Sequence, residues 1–437
     1  METETERPTS LWHHPNFLKL WTSDTISQFG TQFEGYAIPF TALLLTSDPL
    51  AFGILNACAF AAFPLFALFI GVYVDRHHRQ RIMVLANLGR SLLLGLIPFA
   101  AVVGFLTRVG MPLLYFVAFM VGLLTVFFDV SYQALLPSLV DRSQLVEGNS
   151  KLQWSASSAQ VVGPGMAGFV VGAVFPPLAL AIDATSYLAS ASVLSRIDQK
   201  ETIVLTNKSV WHDLKEGLAI VLRDSRLRMI AGSTATFNFF NNVIFALLIL
   251  YLVRQLGFTA PVIGTIFFVG GLGGVLGAVV LSSRLTKWFG VGPVMIGSAL
   301  LGGLGTIPYL LASPSLGTPI FSATNVPLIG TFRLDLNSLL MMAGSFVTSV
   351  GVVVYNINHV SLRQSIVPKR IQGRMNASMR WIVWGTIPLG SIAGGVLGSI
   401  VGLREAIGIG VVGGTLAFLW VFFSPVRSLR EIPEPME

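Results

Sequence analysis

Four carboxylates interrupt long apolar stretches of this sequence, and they are the side chains best suited to chemistry. They are Asp24, Glu34, Asp129 and Asp183. An ionised carboxylate inside a bilayer costs several kcal/mol, so such groups are usually paired, protonated or functional. The four positions are therefore candidates for groups that bind and release a proton.

Glu34 is the best of these candidates because it lies near the middle of its apolar stretch. Gln28, Thr31 and Gln32 give the same predicted helix a broad polar face. Such a face favours a water-filled cavity on that side of the helix, and we assign Gln28 and Thr31 to substrate binding. The alternative is that Glu34 is an ordinary polar group whose hydrogen bonds are satisfied within the helix bundle.

The other three carboxylates lie at different depths. Asp24 is near one end of the first apolar stretch, Asp129 is in the inner half of the fourth, and Asp183 is about two helical turns inside the sixth. Arg90, in the third stretch, needs a buried partner, which Asp129 or Asp75 could supply. We expect an ion pair between Asp129 and Arg90 that is structural or acts in gating.

A stripe of polar side chains marks the seventh apolar stretch. Thr234, Asn238, Asn241 and Asn242 follow the i, i+4, i+7, i+8 spacing of one helix face. Amides can bind a polar substrate without taking part in proton transfer. The stripe is either a substrate-binding wall or a set of hydrogen bonds between helices.

The composition identifies the elements that carry these residues. Of the 437 residues, 53% are hydrophobic and 11% are charged, whereas soluble proteins have about 25% charged residues. We predict an all-α membrane protein with twelve transmembrane helices in two pseudo-symmetric six-helix bundles. The predicted spans are 21–45, 51–74, 82–106, 112–136, 153–175, 178–195, 229–253, 262–283, 291–312, 338–361, 379–401 and 405–424.

The basic residues predict the orientation. The formal net charge is +7, but only four of the 28 Lys and Arg residues, Arg108, Arg254, Arg333 and Arg404, lie on one side of the predicted membrane. By the positive-inside rule both termini are cytoplasmic, and we expect a multi-pass protein of the cell membrane. The basic excess is explained by topology, so we expect no nucleic-acid partner. The single cysteine, Cys58, excludes an intrachain disulfide.

An internal repeat supports two halves. Residues 135–168 match residues 362–395 at a constant offset of 227, aligning Trp154 with Trp381 and Gly168 with Gly395. The predicted domains are an N-terminal bundle (1–195), a cytoplasmic linker with an interfacial helix (196–228), a C-terminal bundle (229–425) and a tail (426–437). In the linker helix, Trp211, Leu214, Leu218 and Leu222 form the apolar stripe, and 313–337 is a turn-rich external loop.

Two short motifs predict moving parts. Gly71-Val-Tyr-Val-Asp75-Arg76-His-His-Arg79 joins the second and third spans, with Gly71 and Asp75 on one helix face. Gly163-Pro164 lies in a glycine-rich fifth span, where proline bends the helix and small residues allow close packing. We assign Gly71, Asp75, Arg76, Arg79, Arg90, Gly163 and Pro164 to gating. The alternatives are a basic cluster that only fixes topology and generic close packing.

The chain resembles the major facilitator superfamily of transporters, in particular the drug:proton antiporter branch that includes macrolide and enterobactin exporters. The resemblance is carried by Phe17-Leu-Lys-Leu-Trp21, Asp75-Arg76-x-x-Arg79, Leu145-Val-Glu-Gly-Asn149, Gly163-Pro164 and Asp183-Ala-Thr-Ser-Tyr187. It implies export of an amphipathic small molecule, such as a drug, macrolide or siderophore, by proton antiport through a rocker-switch mechanism. By the same resemblance Asp75 and the arginines form a latch that opens and closes during transport.

Two other functions stay open from the sequence, namely a proton-coupled nutrient importer and a membrane sensor or assembly partner that transports nothing. The sequence has no phosphate-binding loop, no spacing of His or Cys typical of a metal site and no nucleophile elbow. We therefore expect no enzyme activity, no cofactor and no metal. The expected partners are a small-molecule substrate, protons and membrane lipid, and we expect a monomer.

Overall fold

A computed structural model describes residues 10–198, 210–327, 330–368 and 370–431. The first six long helices are α1 (Pro15–Leu45), α2 (Pro49–Asp75), α3 (Arg79–Val102), α4 (Met111–Leu139), α5 (Leu145–Ala173) and α6 (Pro176–Leu194). A linker helix (Val210–Arg223) leads to α7 (Ser225–Arg254), α8 (Ala260–Phe289), α9 (Val291–Leu311), α10 (Leu336–Ile366), α11 (Gln372–Val401) and α12 (Leu403–Phe422). The last residues of the expected tail and the side chain of Trp211 lie outside the described part of the chain.

Ten of these helices are long and apolar enough to span a membrane, counted over the described residues. The two others are α1, with 31 residues, and α5, with 29 residues. Both are as long as their neighbours but carry more polar side chains. The architecture is the predicted one, and the twelve helices correspond to the twelve predicted spans.

The helices form two six-helix bundles with the same internal packing. In the first, α1 packs on α5 and α6, α2 packs on α4, and α3 packs on α4 and α6. In the second, α7 packs on α11 and α12, α8 on α10, and α9 on α10 and α12. Each contact of the second bundle repeats a contact of the first, six helices later along the chain. The bundles meet where α2 packs on α11 and α5 packs on α8.

Glycines bring the two bundles together at repeat-related positions. A Cβ atom at Gly168 of α5 would lie 2.7 Å from the Cα of Gly264 in α8. Likewise, a Cβ atom at Gly53 of α2 would lie 2.8 Å from the Cα of Gly395 in α11. Side chains cannot be accommodated at these distances, so only glycine permits the contacts. Both contacts lie at the end of the bundles that is far from the linker helix. We call this end the opposite side, and we call the end that carries the linker helix the linker side.

The predicted loop 313–337 contains regular structure that the sequence analysis missed. Strands β1 (Pro319–Val326) and β2 (Gly330–Asp335) pair antiparallel. Phe332 of β2 stacks on Phe169 of α5, with ring centroids 6.1 Å apart. The proline and glycine residues that predicted turns are also compatible with the ends and irregular register of a hairpin. This hairpin is a small addition to an otherwise helical fold.

The linker helix packs on α11 through one face, which shares Leu214 with the stripe predicted to lie in the membrane interface. Leu214 and Val221 are buried, whereas Leu222 of the expected stripe is exposed. Gly217 lies against Arg374 and Ser378 of α11, and Arg374 forms an ion pair with Glu216 at 2.5 Å. Because glycine allows the closest approach, the contact face runs through Leu214, Gly217 and Val221 rather than along the leucine stripe.

Candidate functional site

Two acidic side chains from different helices meet between α1 and α6. Asp183 of α6 is completely buried (0% exposed), and Ser186 donates a hydrogen bond to its Oδ1 atom at 3.2 Å. Its Oδ2 atom receives no hydrogen bond from an N–H or hydroxyl group of the described residues. The carboxyl of Glu34 lies beside it within hydrogen-bonding reach. The sequence analysis placed these carboxyls at different depths, but the fold brings them together.

A hydrogen bond between two carboxyl groups requires a proton, because an ionised carboxylate only accepts hydrogen bonds. When two such groups interact strongly, they titrate as a pair rather than as separate residues. The meeting of the Glu34 and Asp183 carboxyls is therefore a candidate site for a bound proton.

Gly30 makes this meeting possible. It precedes Glu34 by one helical turn, and a Cβ atom there would clash with Ser186 and lie 2.5 Å from Oδ1 of Asp183. The absence of a side chain lets α6 approach α1 at the position of the acidic pair. The sequence analysis did not assign a role to Gly30, although its spacing of four residues from Glu34 was an available signal.

Arg90 of α3 is the buried cation of this region. It is 4% exposed, and its guanidinium lies over the rings of Phe128 and Tyr187, with centroid distances of 4.5 and 4.2 Å. It donates hydrogen bonds to Asn87 and, at 3.5 Å, to Thr125. Aromatic faces and neutral acceptors thus hold the guanidinium in place.

The Arg90 charge attracts all four candidate carboxylates. No direct ion pair joins Arg90 to any of them among the described residues. The expected direct pair between Asp129 and Arg90 is therefore absent, and their interaction acts over a longer distance. Asp75, the other proposed partner of Arg90, is exposed at the end of α2.

Asp24 and Asp129 extend the acidic region toward the linker side. Asp24 is 2% exposed and accepts hydrogen bonds from Gln28 and, at 3.4 Å, from Tyr132 of α4. Asp129 is half-buried and is attracted both by Arg90 and by Arg380 of α11. Asp129 is thus electrostatically linked to the other six-helix bundle. Thr31, on the same face of α1, bonds to the hydroxyl of Tyr187 at 2.9 Å.

The polar stripe of α7 is largely used in contacts between helices. Thr234 bonds to the hydroxyl of Tyr355 at 3.2 Å, and Asn238 donates to the carbonyl of Val383 at 3.1 Å. Asn242 is buried and donates to the carbonyl of Asn238 at 2.8 Å. Asn241 is half-buried. Of the two alternatives left by the sequence, hydrogen bonding within and between helices accounts for Thr234, Asn238 and Asn242.

The predicted gating residues fall into two groups. Gly163 is in close contact with α1, since a Cβ atom there would lie 2.7 Å from Cβ of Gln32. A Cβ atom at Gly264 of α8 would lie 2.7 Å from the carbonyl oxygen of Pro164. The fifth helix is therefore closely packed on both neighbours, as its small residues predicted.

The linker-side motif makes no comparable contact. A Cβ atom at Gly71 would meet nothing within 4 Å, so the expected glycine contact is absent in this conformation. Asp75 and Arg76 are exposed, and Arg79 begins α3. The opposite side is thus closed by glycine contacts, whereas Asp75 and Arg76 on the linker side are exposed.

The arrangement does not provide a metal site. Among the described residues, no group of three or more His, Cys, Asp and Glu side chains is placed to hold a metal ion. The site is instead a set of membrane-embedded carboxyls around one arginine, inside one of two symmetric helical bundles. Such a fold and site indicate a membrane transporter, since ionisable groups within membrane-spanning helices mark the pathways of substrates and ions.

Comparison with known families identifies the class. Residues 20–334 match the sequence model of the Major Facilitator Superfamily. The chain belongs to this superfamily.

Individual relatives are distant. Macrolide efflux protein A of Streptococcus pyogenes is 23% identical over 214 residues, which is 48% of this chain and 52% of that protein. An uncharacterized MFS-type transporter, y4rN, of Sinorhizobium fredii is 25% identical over 156 residues, 35% of this chain and 38% of that protein. The matched part thus spans about half or less of the length of these curated relatives.

Solved structures share the fold at low sequence identity. The nucleoside transporter NupG, as its D323A mutant, has a TM-score of 0.71 and 12% identity, covering 93% of this chain and 98% of that chain. A bacterial homologue of the iron transporter ferroportin in its inward-facing state has a TM-score of 0.67 and 16% identity, with the same coverage. These similarities establish the fold.

Proposed function

We propose that this transporter exports an amphipathic small molecule from the cytoplasm in exchange for protons. The observation that carries the proposal is the carboxyl pair between α1 and α6, formed by the half-buried Glu34 and the fully buried Asp183. The pair is held next to Arg90, and its hydrogen bond needs a proton. Asp24 and Asp129 serve in this proposal as additional acidic groups along the proton path.

The coupling follows from competition for the acidic region. With the opposite side open, Glu34 and Asp183 take up a proton from outside. With the linker side open, an arriving substrate favours release of that proton to the cytoplasm. Because each ligand weakens binding of the other, a full cycle exchanges one for the other. A membrane potential of about 100 mV supplies about 2.3 kcal/mol per charge, enough for a roughly fiftyfold substrate gradient.

The conformation supports alternating access by rocking of the two bundles. The glycine contacts of Gly168 with Gly264 and of Gly53 with Gly395 close the opposite side. The TM-score to the ferroportin homologue is 0.67 for its inward-facing state and 0.59 for an outward-facing state. We infer that the linker side is cytoplasmic and that Gly71, Asp75, Arg76 and Arg79 come together when this side closes.

Export, rather than import, is supported by the similarity to a macrolide efflux protein. Substrate contacts are proposed for Gln28, Thr31 and Asn241, which are half-buried or exposed on α1 and α7. The superfamily fold also occurs in the nucleoside transporter NupG. The direction of transport is therefore a measured outcome of the test below.

The test is efflux of fluorescent amphiphiles and a macrolide from cells, repeated with purified protein in liposomes that contain a pH-sensitive dye. The wild type is compared with Glu34→Gln. We expect protonophore-sensitive efflux and counter-movement of protons for the wild type. In Glu34→Gln, gradient-driven efflux should fall to the level of protein-free liposomes, because the amide cannot carry the proton.

Glu405→Gln is the matched control, since Glu405 is exposed in the first turn of α12, outside the acidic region. It should transport like the wild type. Full pH-driven efflux by Glu34→Gln would refute the assignment of the coupling site. Accumulation of substrate in place of efflux would show an importer, and no flux of any compound would favour a role without transport.

A further inference from the structure

Arg380 of α11 lies against two aromatic rings at the contact of the two bundles. Its guanidinium carbon lies 4.7 Å from the ring centroid of Trp384 and 5.1 Å from that of Phe63 in α2. The two rings lie 4.6 Å apart. Arginine stacks on aromatic rings through the face of its planar guanidinium. The orientation of Arg380 is therefore fixed by residues of both bundles.

Contact with aromatic rings does not use the N–H donors of the guanidinium in hydrogen bonds, and these donors point outward in the plane of the group. Among the described residues, none of the hydrogen bonds or direct ion pairs uses the side chain of Arg380. Its nearest opposite charge is Asp129 across the boundary of the bundles, which attracts it without direct contact. Arg380 is thus a positioned cation whose side-chain donors bond to no acceptor among the described residues.

The second bundle offers no carboxylate to neutralise this charge. Helices α7 to α11 contain no Asp or Glu, and α12 has only Glu405 in its first turn. Arg363 of α10 is in the same situation, because its buried Nε atom has no hydrogen-bond partner among the described residues. A cation within a membrane protein is normally paired, so an anionic ligand is the natural missing partner.

Apolar surface lies directly beside the guanidinium. Trp381 and Trp384 are 39% and 37% exposed. Trp381 is anchored to the other bundle by a hydrogen bond from its Nε1 atom to the carbonyl of Pro64, at 3.0 Å. An anion with an aromatic or aliphatic body could bind both the arginine edge and the tryptophan faces.

We propose that Arg380, Trp381, Trp384 and Phe63 form a binding site for an organic anion, in which Arg380 binds a carboxylate, sulfonate or phosphate group and the rings bind its apolar body. We call these four residues the arginine–tryptophan site. The proposal rests on the proposed transport function and specifies its substrate class. Asp129 competes with the anion for Arg380, while the proton is carried by Glu34 and Asp183 on the other bundle.

The test is equilibrium binding to purified protein in lipid nanodiscs, at one fixed pH and without a proton gradient. The probes are 1-pyrenebutyrate and the uncharged 1-pyrenebutanol, which share an apolar body. Energy transfer from tryptophan to pyrene reports binding, after subtraction of the signal from nanodiscs without protein. The wild type should bind the anion more tightly than the alcohol.

Arg380→Gln should weaken binding of pyrenebutyrate by about tenfold or more, because a charge-assisted hydrogen bond is lost. It should leave pyrenebutanol binding unchanged. Arg380→Lys should be intermediate, since an ammonium keeps the charge but lacks the planar fork. Asp129→Asn should strengthen anion binding, because it removes the competing carboxylate. Thermal melting of each variant checks that it is folded, and Arg404→Gln is the control for loss of an exposed arginine.

Equal affinity of the wild type for the two probes, or no binding of either, would overturn the proposal. Equal weakening of both probes in Arg380→Gln would also overturn it, because that result indicates a packing defect. The binding assay does not depend on proton coupling, so Glu34→Gln should retain the preference for the anion. If antiport is absent but the protein still prefers the anionic probe, only the transport mechanism is refuted. If antiport is present but the protein does not prefer the anionic probe, only the anion site is refuted.

Discussion

The two six-helix bundles share one packing scheme but differ in their internal chemistry. The first bundle contains four membrane-embedded carboxylates around Arg90. The second has amides, hydroxyls and two arginines at comparable depths. The repeat aligns Asp129 of α4 with Asn356 of α10. Asn356 is exposed, and its Oδ1 atom accepts a hydrogen bond from Nε2 of His359 at 3.0 Å. Duplicated helices thus carry acidic chemistry in one bundle and neutral or cationic chemistry in the other.

The shared features are those that close the two bundles against each other. Gly168 and Gly395 are related by the repeat offset, and each contacts a glycine of the other bundle. Backbone contacts of this kind tolerate no side chain, so they are retained in both bundles. The glycine contacts are shared by the two bundles and the acidic groups are not, so the contact between the bundles and the acidic site are separate parts of this fold. Each can be tested by a matched pair of substitutions.

The largest expected effect is that of Arg90→Met compared with Arg363→Met. Loss of Arg90 leaves buried carboxylates without their cation, and breaking such an arrangement costs roughly 3 kcal/mol or more. Helices α7 to α12 contain no Asp or Glu besides Glu405 in the first turn of α12, so replacement of Arg363 should cost much less. Unfolding by heat or denaturant in mild detergent measures the loss of stability in both variants. Equal losses of stability would contradict the electrostatic difference between the bundles.

The second effect concerns the close approach of α1 and α6. Gly30→Ala should destabilise the protein by about 1–3 kcal/mol, because its new methyl group overlaps Ser186 and Asp183. It should also reduce proton-coupled flux by separating Glu34 from Asp183. Gly35→Ala is the control on the same helix, since a Cβ atom there meets nothing within 4 Å. Flux and melting temperature are measured for both variants, and identical behaviour would exclude a special contact at Gly30.

The smallest effect concerns a carboxylate at the edge of the second bundle. Asp224 precedes α7 and accepts hydrogen bonds from the backbone N–H groups of Arg226 and Leu227, at 2.8 and 3.1 Å. Partial burial acts to raise the pKa of Asp224, but these bonds and the Arg226 guanidinium outweigh it and lower the pKa below 3.8. Its contribution is therefore present above pH 3.8 and is lost as the pH falls through the lower folded-state value.

Asp224→Asn should cost up to about 1 kcal/mol near neutral pH, the typical contribution of a helix cap. The difference from the wild type should shrink as the solution is acidified, because Asp224 is then protonated. Asp141→Asn is the control, since the Asp141 side chain makes no cap hydrogen bond. Unfolding between pH 3 and pH 7 measures the effect. A difference that grows on acidification would contradict the assignment.

The sequence predicted the helices well because hydropathy and helix length respond directly to a bilayer. All twelve predicted spans lie within or close to observed helices. It missed the hairpin of β1 and β2, where proline and glycine were interpreted as loop signals. The leucine stripe of the linker helix stays a prediction about the membrane interface, and the tight contact at Gly217 with α11 was not singled out from the sequence. Residue composition indicates whether a segment lies in water or in a bilayer. It is less informative about which of two apolar helix faces packs on another helix.

The sequence predicted the residues of the candidate site but not how they contact one another. Glu34, Asp183 and Arg90 were identifiable because charged groups are rare in apolar helices. The meeting of Glu34 with Asp183 was not predicted, and the Arg90 pair expected with Asp129 is not a direct one. Arg380 was not selected at all, since its importance depends on Phe63, a residue more than three hundred positions away.

The sequence by itself determined that the chain crosses a membrane in two related sets of helices and that one set carries the acidic groups. Both properties follow from residue type and spacing, which fix hydropathy and charge locally. Only the tertiary structure decided which acidic groups share a hydrogen bond, which glycines touch and which arginine lacks a partner. Those outcomes depend on the distance and rotation between helices that are far apart in sequence, and packing alone sets them.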